Sequence, residues 1–208
     1  MHIMDNIQTD IKNYNELIDR VFDIDAYEIN KLKSLDKNLF TSIATKLANC
    51  KGLVHTSGCG TSAMAAKKVA HSLCCVEVQS CFLNPSDAVH GGMGRLKKDD
   101  IIIFFSKGGN TSELISMIKV CKVKGVFIIT VSEDPISELA QNADIYLPIR
   151  VDKEPCRFNL LATASTLAMT AAFDAICILL MYREEYSKEA FLLIHPAGAV
   201  GEKLAKTI

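Results

Sequence analysis

Two short segments carry the residue types that hold a phosphate. The first, Thr56-Ser57-Gly58-Cys59-Gly60-Thr61-Ser62, lies between apolar Leu53-Val54 and a helix-type run from Ala63 to Leu73. Glycines such as Gly58 and Gly60 let a backbone approach an anion closely. A helix N-terminus adds unpaired N–H groups and the positive end of the macrodipole, and hydroxyls supply further donors. A Gly-x-Gly turn also arises for steric reasons alone in α/β proteins. Ala63 stands where a dinucleotide fingerprint has its third glycine, which lowers the dinucleotide reading. The second segment, Ser106-Lys107-Gly108-Gly109-Asn110-Thr111-Ser112-Glu113, follows the apolar run Ile101 to Phe105. Thr111 or Ser112 is placed to cap the helix that continues through Leu114, Ile115 and Ile118, with Glu113 in its first turn. Loops at the carboxyl ends of adjacent parallel strands converge on a crevice, so both segments are expected to face one ligand.

The elements that must position these loops alternate along the chain. The pattern predicts a strand near Leu53, a helix over 63–73, and strands over 76–82 and 101–105. A helix over 111–123, a strand over 126–131, a short helix over 136–141 and a strand over 145–149 follow. Such alternation implies a parallel sheet with helices on both faces. Before it, Ile7, Ile11, Tyr14, Ile18 and Val21 share one helical face, and a second helix surrounds Phe40 to Ala48, so the first fifty residues read as a helical arm. The tail is expected to resume helix after Gly201, following the turn His195-Pro196-Ala197-Gly198.

One segment could pass for a membrane span: Leu160 to Tyr182 is 23 residues with Asp174 its one charge. Alanine and threonine fill its first half and Asp174 lies in its interior, so it reads as a buried helix of a soluble fold. A helix apolar all round should pack on the sheet with one face and on another subunit with the other, which predicts an oligomer.

At 208 residues and 49% apolar content the chain can bury a core as one domain, with 1–50 an arm and 51–208 the α/β core. A net charge of −1 gives no footprint for nucleic acid or an anionic membrane. Met1 to Asp10 lacks the pattern of a secretory signal, and a cytoplasmic protein is expected. The eight cysteines include no CxxC pair and read as small core residues in a reducing compartment. Cys59 is the exception, because a thiol beside a helix N-terminus can have a lowered pKa. His90 and His195 form no metal motif, so neither a metal nor a cofactor is expected.

With these residues in hand, the chain resembles the sugar isomerase (SIS) domain family, and within it the arabinose-5-phosphate isomerase subgroup. The resemblance runs from the Ser57 loop through Asn84-Pro85-Ser86-Asp87-Ala88-Val89-His90-Gly91 and the Ser106 loop. It continues through Lys153-Glu154-x-Cys156, Thr163-Ala164-Ser165-Thr166 and His195-Pro196-x-Gly198-Ala199-x-Gly201. The Glu-x-Cys and His-Pro pieces are particular to the subgroup, whereas the phosphate loops are shared by SIS domains at large.

The resemblance implies a three-layer α/β/α sandwich with a five-stranded parallel sheet. It implies a phosphosugar substrate and a dimer or tetramer in which the His-Pro histidine enters a neighbour's active site. The reaction it implies is aldose–ketose interconversion through a cis-enediol, with Glu154, Glu113 and His195 carrying the chemistry. Glu154, at the end of the last strand, is the expected base, with burial raising its pKa toward the working range. His195 is the expected group for ring opening. Ser57, Ser62, Ser106, Thr111 and Thr163 are the expected phosphate ligands, with Gly58, Gly60, Thr61 and Lys107 lining the loops and His90 a further pocket candidate. Many relatives append a pair of cystathionine-β-synthase-type modules, and a form without them is expected here.

The departures concern the substrate end of the site. Thr61 stands where the subgroup has a lysine, and Lys107 introduces a cation in the second loop that could reach the same space. Asn110, Gly92 and Ala197 also differ from the subgroup's usual residues. Two further readings stay open: a non-catalytic phosphosugar-binding regulator, and another SIS chemistry such as a hexulose-phosphate or amino-sugar phosphate enzyme.

Overall fold

A computed structural model describes residues 11–184, 186–199 and 202. The readings for Met1 to Asp10, Ile7 included, lie outside the described residues, as does the expected helix after Gly201 apart from Glu202. The elements are α1 (Ile11–Lys31), α2 (Lys37–Ala48), β1 (Val54–Gly58), α3 (Gly60–Cys74), β2 (Ser80–Phe82), α4 (Pro85–Val89) and β3 (Ile101–Phe105). They continue with α5 (Ser112–Lys124), β4 (Phe127–Ser132), α6 (Glu138–Gln141), β5 (Ile145–Pro148), α7 (Ala164–Met181) and α8 (Lys188–Ile194).

The five strands pair in parallel in the order β2-β1-β3-β4-β5. The all-apolar β3 sits at the centre with every residue buried, because in a parallel sheet both faces are covered. Its Ile101, Ile103 and Phe105 join a core shared with α2, α3 and α7. Ile102 and Phe104 point the other way, into a core shared with α5 and α6. The result is the expected three-layer α/β/α sandwich, with α1 and α2 as the helical arm.

Several boundaries moved for local reasons. The helix α3 starts at Gly60, so Gly60, Thr61 and Ser62 form its first turn rather than a loop before it. β2 shrinks to three residues because Glu77 adopts a positive φ of 57° and turns the chain. Two helices went unanticipated. α4 is capped by the Asn84 side chain with Pro85 opening it, a signal legible in hindsight. α8 is capped by Ser187.

Helix α7 begins at Ala164, not Leu160, and is long and apolar enough to cross a membrane by length and composition. Its buried residues, among them Ala168, Met169, Ala172, Phe173 and Ile176, face α1, α2, α3 and the sheet. Phe173 meets Phe105 of β3 with ring centroids 5.2 Å apart. Asp174 pairs with Lys68 of α3. Leu167, Ile178, Leu179 and Tyr182 remain exposed on the outer side.

A buried polar pair ties the two central strands at their amino ends. His55 of β1 is fully buried, with Nε2 3.1 Å from Asp100 Oδ2 and Nδ1 3.5 Å from Cys81 Sγ. Asp100 also accepts the Leu53 and Lys97 N–H groups at 2.8 Å each. Burial lowers the His55 pKa despite the Asp100 carboxylate. Burial works against the Asp100 charge, yet the two N–H groups and His55 hold its pKa below the usual range. The unfolded His55 therefore binds a proton below about pH 6.5 that the folded one refuses, so stability falls as pH drops through that value, and Asp100 adds only below about pH 3.9. The urea midpoint should decline between pH 7 and pH 5. A midpoint that stays constant over that range contradicts a neutral, buried His55.

Candidate functional site

The order β2-β1-β3-β4-β5 changes direction between β1 and β3, and the helices that follow them lie on opposite faces. The two glycine-bearing turns therefore splay apart there and open a crevice beyond the strands' carboxyl ends.

The first turn is shaped by two glycines with different roles. A Cβ on Gly58 would stand 2.9 Å from the Ser62 carbonyl oxygen and 3.0 Å from that of Phe105, so α3 could not close onto β3. Gly60 takes a left-handed φ of +56° and faces open space. The first α3 amide bonded to a carbonyl of the chain at this end is that of Ala63, to Cys59. Among the described residues, the N–H groups of Gly60, Thr61 and Ser62 thus remain available to an anion, with Thr61 exposed and Ser62 half-buried.

Two expectations for this turn are corrected. Ser57 is fully buried, and its hydroxyl donates to the Leu83 carbonyl at 2.8 Å, so it links β1 to the chain beyond β2 instead of facing a phosphate. The Cys59 thiol is pushed up, not down, because burial and then the negative charge of Glu113 both oppose the thiolate.

The second turn is organised by Ser106, whose oxygen accepts the Gly109 N–H at 3.1 Å and lies 2.8 Å from the Thr111 hydroxyl. Thr111 is the N-cap residue of α5 by position but makes no side-chain capping bond, since its hydroxyl is engaged with Ser106. Glu113 is exposed in the first turn of α5 and accepts from the Ser112 hydroxyl at 2.9 Å. Its own backbone N–H and Ser112 hold its carboxyl below the usual range.

Beyond the end of β5 lies Glu154, fully buried and joined to the second turn through Lys107. Its Oε1 meets Lys107 Nζ at 3.0 Å, and its Oε2 accepts the Thr163 N–H at 2.9 Å and the Ser165 N–H at 3.4 Å. Burial alone would raise its pKa, as the sequence suggested. The nearby Ser165 hydroxyl, Lys107 and the Thr163 N–H outweigh burial, and the carboxyl is held below its usual range. That corrects the expected direction: Glu154 is kept ionised. Thr163, expected at a phosphate, instead ties the start of α7 to this carboxylate, with its hydroxyl 3.5 Å from Oε2. Lys107 retains 35% side-chain exposure and covers Oε1 from the solvent side.

The two histidines lie apart from this cluster. His90 is exposed and ends α4. His195 ends α8, stacked on Phe191 at a centroid distance of 4.0 Å, with Nδ1 3.0 Å from the Phe191 carbonyl. A bond to a carbonyl oxygen requires Nδ1 to donate and leaves Nε2 uncommitted to it. Just before α8, Tyr186 donates its hydroxyl to the Cys75 carbonyl at 2.8 Å, at the far end of α3 from the phosphate-type turn.

Sequence reasoning missed several supporting groups. Asn159, at a positive φ of 57°, accepts the Glu154 N–H at 2.6 Å. Cys156 Sγ accepts the Leu160 and Leu161 N–H groups at 3.2 Å each, and these donors, Leu161's first, lower its pKa. Glu28 of the arm is almost fully buried and accepts the Asp152 and Lys153 N–H groups at 2.9 and 3.1 Å. The Glu-x-Cys spacing hinted at the first pair, but nothing in the α1 pattern marked Glu28.

The profile of the SIS domain matches residues 46–179. The arabinose 5-phosphate isomerase KdsD of Salmonella typhi is 33% identical over 184 residues, covering 88% of this chain; the chain spans 56% of that relative's length. A crystal structure from Listeria monocytogenes, described as a candidate sugar-phosphate isomerase, superposes with a TM-score of 0.88 at 46% identity, covering 90% of this chain and 99% of that one. The protein c3406 of Escherichia coli CFT073, solved in complex with arabinose 5-phosphate, gives a TM-score of 0.84 at 25% identity, covering 89% and 98%.

Proposed function

The chain belongs to the SIS domain family, and on that premise we propose that it is a phosphosugar aldose–ketose isomerase acting through a cis-enediol. The interconversion of ribulose 5-phosphate and arabinose 5-phosphate is its nearest model reaction. The observation that carries this reading is the ion pair between the buried Glu154 and Lys107 of the second anion-receiving turn. A site that only binds phosphosugar needs the turns but has no use for a buried carboxylate and a movable cation beside them.

In this reading the phosphate rests on the free N–H groups of α3's first turn and on the Ser106–Thr111 loop, where helix dipoles and hydroxyls favour the dianion. Substrate displaces Lys107 from Oε1, which uncovers a carboxylate already ionised at neutral pH. Glu154 then takes the proton from C1 or C2 and returns it to the other carbon, while at the enediol stage the proton of the C1 or C2 hydroxyl passes to the former carbonyl oxygen. Charge developing on the enediolate oxygens is met by the displaced Lys107 ammonium, standing in for the lysine that Thr61 replaces. Ring opening falls to His195 of a second copy, since in its own chain this residue is anchored through α8 toward the other end of α3. The exposed Leu167, Ile178, Leu179 and Tyr182 of α7 supply an apolar face for such a copy.

Thr61 also supports a second reading, a phosphosugar-responsive regulator without turnover. The two readings share the phosphate loops. Ser106→Ala and Thr111→Ala should each weaken binding of the sugar phosphate by about 1–3 kcal/mol, measured calorimetrically. Unchanged affinity in both variants would remove the phosphate from this loop.

A further inference from the structure

A second cluster of chemistry-bearing side chains lies toward the amino ends of β1, β2 and β3, at the opposite end of the sheet from the phosphate-type turns. Asp100, the residue before β3, engages both carboxylate oxygens as acceptors: Oδ1 takes the Leu53 N–H and Oδ2 the Lys97 N–H, each at 2.8 Å. Oδ2 also lies 3.1 Å from His55 Nε2. An ionised carboxylate has no hydrogen to give, so Nε2 carries the imidazole proton and the neutral ring is left with a bare lone pair on Nδ1. That nitrogen lies 3.5 Å from Sγ of Cys81, the residue that pairs with His55 in the β1–β2 register. The same sulfur meets Arg95 Nη1 at 3.8 Å, from the short turn Gly92–Arg95. β2 is an edge strand, and Cys81 is only half-buried. A histidine held for packing alone would be satisfied by Asp100 and a buried donor. It gives no reason for a partly open thiol with a guanidinium beside it.

We propose that Cys81, His55 and Asp100 form a base-assisted thiol, a second reactive site that adds to small α,β-unsaturated carbonyl compounds reaching the β2 edge. The order is that of an activated nucleophile: a thiol against a bare imidazole nitrogen, and the imidazole held in its tautomer by a carboxylate. In the addition, Sγ bonds to the β-carbon while the S–H proton passes to His55 Nδ1 and the alkene π pair moves onto the carbonyl oxygen. Asp100 stabilises the imidazolium through Nε2, and His55 then returns the proton to the α-carbon of the enolate. The product is a thioether, with no leaving group and no change of oxidant. Arg95 favours the negative charge that develops on sulfur. Burial pushes the Cys81 thiol up, Arg95 works against that rise, and Cys74 and Asp100 add to it. Burial lowers the His55 pKa, against Asp100 and with Arg95. The resting pair is therefore a neutral thiol and a neutral imidazole, the state in which a neighbouring base matters for reaction.

The test is reaction of the full chain with acrylamide at neutral pH, the adduct at each cysteine followed in time by peptide mass spectrometry. Cys74 is exposed and Cys81 half-buried, so access alone would put Cys74 ahead. The expected order is the reverse, with Cys81 modified faster than Cys74. In His55→Gln the Cys81 rate should fall by about 10²-fold while the Cys74 rate holds, because only Cys81 loses its base. The order of the two thiols in the wild type decides the matter even if His55→Gln does not fold. Cys81 left unmodified when Cys74 is fully converted, or a Cys81 rate unmoved in folded His55→Gln, overturns the proposal. Neither result depends on turnover of a sugar phosphate, so failure here and failure of the isomerase reading are separate outcomes.

Discussion

Glu154→Gln is expected to lower kcat for sugar-phosphate isomerisation by about 10²–10⁴-fold, the range spanned by positioned acid–base groups. The amide keeps the shape of the side chain, so an oxygen can still accept from the Thr163 and Ser165 N–H groups. What it loses is proton affinity at the group that faces the reacting carbons. Binding should survive, because Glu154 meets the second turn only through Lys107 and leaves the Ser106–Thr111 hydroxyls and the first turn of α3 in place. A fall in kcat and in kcat/KM by the same factor, with binding affinity retained, marks a group needed in the transition state. A variant that keeps a tenth or more of wild-type turnover would mean another group moves the proton.

The next largest effect is expected for Lys107→Ala, a loss of about 10²-fold in kcat if the ammonium meets charge developing on the enediolate. A second signature separates this from simple damage to the loop. With the ammonium gone, burial of Glu154 is opposed by Ser165 and the Thr163 N–H alone, so its pKa rises and the acid limb of the pH profile moves up. Arginine at 107 should restore the lower acid limb, because it restores the charge. Full activity with an unmoved profile in Lys107→Ala would refute the substitution of Lys107 for the missing first-turn lysine.

The strand-to-turn-to-helix units were legible because their physics is local. A continuous apolar run such as Ile101 to Phe105 suits only a strand covered on both faces, and glycines at 58 and 60 mark a turn that α3 can close onto. The direction of single side chains was not legible. Thr56 and Ser57 are adjacent hydroxyls, yet in a strand of period two they face opposite layers, and Ser57 finds the Leu83 carbonyl while Thr56 finds that of Ala66. The same limit applied to Glu154: burial was foreseen, but the sign of its pKa shift depends on donors nine and eleven residues away on the start of α7. Glu28 carried no mark in the α1 pattern. Only the return of the chain after β5, whose Asp152 and Lys153 N–H groups it accepts, buries it, a long-range event that spacing along α1 does not record.

The most direct test is solvent exchange at carbon. Wild-type protein incubated with ribulose 5-phosphate in deuterium oxide, followed by proton NMR and extended to other pentose and hexose phosphates, should incorporate deuterium at C1 or C2 and form the aldose. Binding of these sugar phosphates with no deuterium incorporated into any of them would contradict proton transfer through an enediol and leave the chain a phosphosugar-binding protein.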